Sequence, residues 1–101
     1  MLMTRDELLA QFDQYDAITR CFGGPNDESL TKVRRIVFAL RGHTDADPYL
    51  HEKLSEMLNW AQIGLSTRKF ARYGGVQQVS IFAMSAAGSA KSSMLRGPDS
   101  H

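Results

Sequence analysis

A chain of 101 residues, 43% hydrophobic and 23% charged, has room for one domain with a single modest core. Its net charge of +1 gives no overall pull toward nucleic acid or a membrane surface. The lone cysteine, Cys21, excludes an internal disulfide and suits a reducing compartment. The opening MLMTRDELLAQF turns acidic without an apolar signal core, and the longest apolar run, Ile36 to Leu40, is too short to span a bilayer. Together these features point to a bacterial-type cytoplasm or its equivalent. Charge is spread unevenly: residues 1–29 sum to −4, residues 30–42 to +4, residues 43–58 to −3 and the remainder to +4. Alternating acidic and basic segments are what antiparallel helices use to choose neighbours, although each exposed pair contributes little.

Four helices are expected in chain order. Thr4 followed by Glu7 has capping-box spacing and opens a helix over 5–22, with Leu8, Phe12, Tyr15 and Phe22 as its stripe and Gly23-Gly24-Pro25 as its stop. Asn26 or Asp27 caps a second helix over 28–41. Its stripe is Leu30, Val33, Ile36, Val37 and Leu40, and Gly42 closes it as a left-handed residue. Arg35 to Leu40 also suits a buried strand, but signals at both ends favour helix. The third helix, 48–66, is the strongest. Leu50, Leu54, Met57, Leu58, Ala61 and Leu65 fall at helical spacing, Asp47 caps the first turn, and Pro48 stands where its missing N–H costs nothing. After Gly74-Gly75, Val76, Val79, Ala83, Ala86, Ala87, Ala90 and Met94 recur at helical spacing over 76–95, with a short strand at Val79–Met84 as the competing pattern. The expected architecture is all-α, a small bundle of three to four helices over residues 1–96, dimeric, with 97–101 as a flexible C-terminal end.

Signatures of catalysis and of metal binding fail one by one. His43, Asp45, Asp47 and His51 are ligand types lying close in sequence, yet their spacing matches no metal signature, and aspartates in a connector more often cap the next helix. His51-Glu52 lacks the second histidine of the zinc-protease helix, since Ser55 stands there. Gly88 to Ser92 departs from a phosphate loop at Ser85 and Ala90, where glycines are required. Cys21 has no activating base beside it in sequence. No catalytic residue, metal or cofactor is expected, and the chain reads as non-enzymatic.

The string Ile63-Gly-Leu-Ser-Thr-Arg-Lys-Phe-Ala-Arg-Tyr73 resembles the turn and recognition helix of repressor-type helix-turn-helix proteins. That resemblance implies a DNA-binding regulator in which Phe70 anchors the recognition helix while Arg68, Lys69 and Arg72 face phosphates or bases. It covers about a dozen residues, and the small residue expected four positions before the glycine is here Trp60. The competing pattern is a helix C-terminus whose basic residues complement the helix dipole.

A different signal comes from apolar residues that the core stripes do not use. Tyr49, Trp60 and Ile63 on the third helix, beside Lys53, and Phe38 on the second, near Arg34 and Arg41, imply a second buried face. Aromatic and arginine side chains are the usual anchors of protein interfaces. Ala83, Ala87 and Ala90 let two helices approach closely and are the expected homodimer contact. The function expected on these grounds is regulatory binding of another protein, as an adaptor, inhibitor or anti-activator, a transcription regulator being one such target. The helix-turn-helix regulator is the alternative, and no membrane association is expected.

Overall fold

A computed structural model describes residues 3–43, 47–66 and 69–96, with Arg96 described by its backbone alone. Its elements are α1 (Arg5–Thr19), α2 (Asp27–His43), α3 (Pro48–Gly64), a 3₁₀ helix (Lys69–Tyr73) and α4 (Val76–Arg96). Among the described residues there is no strand, so Arg35–Leu40 and Val79–Met84 are both helical. Among the described residues no helix is long and apolar enough to cross a membrane.

Local chemistry sets most of the helix ends. The Thr4 hydroxyl accepts from the Glu7 amide while the Glu7 carboxylate accepts from the Thr4 amide, so two orphan donors are satisfied at once. Asn26 Oδ1 accepts from the Ser29 amide at 3.0 Å at the start of α2. Asp47 Oδ1 takes the Tyr49 and Leu50 amides ahead of Pro48. Two ends differ from expectation. α1 stops at Thr19 rather than Phe22, because Cys21 and Phe22 already donate to carbonyls three residues back, tightening the last turn. Gly42 lies inside α2 and does not take the left-handed conformation; α2 runs on to His43, whose Nδ1 accepts from the Met3 amide at 3.0 Å.

That contact brings the end of α2 to the start of α1, so the two helices lie antiparallel. Around the bundle α1 packs on α2, α2 on α3, α3 on α4 and α4 back on α1, with the α3–α4 seam the most extensive. The core is filled by Tyr15, Val33, Val37, Leu40, Leu54 and Met57, all essentially inaccessible to solvent. Tyr15 is the polar member. Its hydroxyl donates to the Met57 carbonyl oxygen at 2.8 Å, and burial pushes its pKa far above the usual phenol range. The α1–α2 connection is tied to the far end of α3. The Gly23 amide, at φ 133°, donates to the Gly64 carbonyl at 2.9 Å, and Asn26 donates to Leu65 at 3.2 Å. The Phe22 ring lies so close over Gly64 that a Cβ there would overlap it.

Candidate protein-docking surface

α2 is amphipathic in an unusual way. Its inner stripe of Val33, Ile36, Val37 and Leu40 is buried, and its outer stripe is basic with one aromatic at its centre. Taking 100° per residue, Thr31, Arg34, Arg35, Phe38, Arg41 and Gly42 fall within about 60° of one line along the helix, with Asp27 on the same line at the first turn. Every one of them is exposed. Phe38 has 81% of its surface accessible, the most of the large exposed apolar side chains. Among the described residues no carboxylate stands within ion-pair distance of Arg34 or Arg35. Arg41 donates to Ser55 Oγ on α3 at 2.9 Å, which extends the stripe onto the neighbouring helix. A flat ring beside Arg34 and Arg35, whose guanidinium groups meet no carboxylate among the described residues, suits a surface of opposite charge with a small apolar recess.

The residues expected to share this face separate into two groups. Tyr49, Lys53, Glu56, Trp60 and Ile63 form their own stripe on α3, turned about 120° away from Ser55 by the helical repeat. Part of that stripe is covered. Trp60 stacks edge-on to Tyr73 of the 3₁₀ helix at 5.3 Å and meets Phe82 of α4 at 4.8 Å, while Ile63 is buried. Tyr49 remains exposed at the other end of the stripe. Lys53 Nζ lies 5.6 Å from its ring centre and 3.0 Å from Glu56 Oε2, and the hydrogen bond to Glu56 raises the ammonium pKa. Trp60, partly buried, and Ile63, buried, are thus engaged in the chain's own packing, unlike Phe38.

The alanine face is also used inside the chain. Ala83 and Ala90 have no accessible surface, and Ala87 packs half-buried against the core. Their small size is what lets α4 seat closely. What α4 turns outward instead includes Ile81 and Met84, 57% and 47% accessible.

Among the described residues of the helix-turn-helix string no second α-helix forms. Arg68 lies outside the described residues, and Lys69–Tyr73 makes a five-residue 3₁₀ helix with Lys69 and Arg72 exposed. Gly74 and Gly75 follow at φ 94° and 99°, a reversal open to glycine that ends the turn. Five residues give little more than one turn, too short for a helix that reads a major groove. The short helix instead brings Tyr73 down on Trp60. Among the described residues no three His, Cys, Asp or Glu side chains gather as a metal site; His43 accepts from Met3, and Asp45 lies outside the described residues.

Three features escaped the sequence pattern. Arg35 joins the Phe38 stripe, a position its spacing of three residues makes legible. Tyr73 serves as the cover of Trp60, a contact between elements that periodicity does not carry. Ile81 and Met84 face outward, a placement that their i, i+3 spacing off the alanine stripe makes legible. Compared with protein-family models, curated proteins and solved structures, the chain matches none, and its function rests on the chemistry of these surfaces.

Proposed function

We propose that the chain acts by binding another protein rather than by catalysis, as a regulatory adaptor, inhibitor or anti-activator in the cytoplasm, and that it docks through the outer face of α2. The observation that carries the reading is Phe38, 81% accessible on a helix whose opposite stripe of Val33, Ile36, Val37 and Leu40 is buried. Scattered surface apolar residues are ordinary, but this one sits among Arg34, Arg35 and Arg41, and an aromatic ring ringed by guanidinium groups is the composition of an interface anchor. The partner's matching surface is acidic, because burying Arg34 and Arg35 without carboxylates would leave their charge uncompensated. A nucleic acid suits the stripe less well. The neighbouring α1 exposes Asp6 and Asp13, and the net charge is only +1. The reducing cytoplasm is supported by the single exposed thiol of Cys21. The DNA-binding alternative lacks the recognition helix that its resemblance required.

The test is a photoreactive phenylalanine analogue placed at position 38 and irradiated in an extract of the cells that make the protein. The expected result is a discrete adduct with a protein acidic at the linked segment, lost when Arg34→Ala and Arg35→Ala are added. Absence of any adduct at position 38, or one insensitive to both arginines, would overturn the reading.

A further inference from the structure

Resting on the reading of the α2 face as a protein-docking surface, we propose that one occupant of that face is a second copy of this chain, which lays the acidic outer face of α1 across Phe38. The complement is present in the same molecule. Asp6, Ala10, Asp13 and Ala17 fall within about 60° of one line on α1, opposite its buried stripe, and all four are exposed. Among the described residues neither Asp6 nor Asp13 has an ion-pair partner. The spacings match. Arg34 and Arg41 stand seven residues apart, about 10 Å along the axis, and Asp6 and Asp13 stand seven residues apart as well. Between the arginines rises Phe38; between the aspartates lies Ala10, small enough to receive a ring.

α1 and α2 are antiparallel neighbours, tied by the Met3 to His43 hydrogen bond of 3.0 Å. A twofold axis along the bundle therefore sets each α2 on the other copy's α1 and makes the contact twice. Arg41 then meets Asp6, Arg34 meets Asp13, and the ring settles against Ala10. Exposed ion pairs are individually weak and are screened by salt, so the dimer is weak, reversible and salt-sensitive. It would also mask the docking face from any other acidic partner in proportion to concentration.

Sedimentation of the purified chain tests this at low and high salt with two variants, Arg34→Glu/Arg41→Glu and Asp6→Lys/Asp13→Lys. All four positions are exposed, so helicity and melting temperature serve as controls that each variant folds. The wild type is expected to dimerise at low salt and to lose about tenfold or more in affinity at high salt, where the Debye length falls to about 3 Å. Each variant alone is expected to be monomeric. An equimolar mixture of the two is expected to dimerise again, because each basic face then meets an acidic one. A wild type that stays monomeric at hundreds of micromolar and low salt would overturn the second copy, whereas an adduct at position 38 with a different protein would leave the docking face standing. A dimer that persists in both variants would place the contact elsewhere and overturn the proposal equally.

Discussion

Trp60 and Phe38 carry the same mark in the sequence, an aromatic residue set off the core stripe of its helix, and the fold treats them oppositely. Over Trp60 the chain returns twice, first as the 3₁₀ helix that brings Tyr73 edge-on and then as α4 with Phe82. Over Phe38 no described residue returns, and the ring stands 81% open among arginines. The difference follows from neighbourhood. α3 is flanked by the segments that follow it, whereas the outer stripe of α2 reaches α3 at its edge, where Arg41 bonds Ser55. An off-stripe aromatic thus does not by itself say whether the chain will cover it.

The largest expected effect lies in the core that both regions share. Leu54→Ala should cost about 2–5 kcal/mol, since Leu54 is fully buried and the neighbouring helices cannot collapse onto the space. Chemical denaturation would read it. Trp60→Ala should follow at about 2–3 kcal/mol, because a half-buried indole loses its packing on Tyr73 and Phe82. At roughly 4–8 °C per kcal/mol in a domain of this size, its melting temperature should fall by about 10 °C or more. A Trp60→Ala protein that melts like the wild type would erase the contrast with Phe38.

Gly64→Ala should cost about 1–3 kcal/mol. The added methyl meets the Phe22 ring, and Phe22→Ala in the same chain should recover part of the loss. Tyr15→Phe should cost about 1 kcal/mol, the net worth of its bond to Met57. The same substitution has a pH signature. The folded protein holds the Tyr15 proton more tightly than the unfolded chain does, so the stability this confers is present below the unfolded value of about 10. It is lost as pH rises past that value toward the higher folded one. Stability should therefore fall more steeply above about pH 10 in the wild type than in Tyr15→Phe, and equal slopes would show that Tyr15 is not the group responsible.

The helices were legible because several signals agreed at each of them. Thr4 with Glu7, Asp47 with Pro48, and the Leu50–Leu54–Met57 stripe each place a boundary or a face through contacts within one helix. Gly42 misled because a glycine near a helix end permits a left-handed cap without requiring one; its helix continues to His43, which meets Met3 from the far side of the bundle. Residues 63–73 misled for a related reason. A short basic string carries helix propensity, but the length of a helix is settled by where the chain must turn, here at Gly74 and Gly75. The alanines of α4 were expected at a homodimer contact, whereas Ala83 and Ala90 are buried in the chain's own core; which helix a small-residue face meets is beyond periodicity. Of the proposed docking surface, Phe38, Arg34 and Arg41 were visible. What sequence could not separate from it was the Trp60 stripe, because covering depends on contacts between elements far apart in the chain.

The melting temperature of Phe38→Ala against Trp60→Ala, each measured at successive dilutions, tests most directly whether the chain covers one aromatic and holds the other open for a partner. Dilution removes any contribution from a second copy. Phe38→Ala is expected to stay within about 0.5 kcal/mol of the wild type, a shift of about 2–4 °C at most, while Trp60→Ala falls by about 10 °C or more. If dilute Phe38→Ala falls as far as Trp60→Ala, the ring is part of the chain's own packing, and the docking face on α2 loses its anchor.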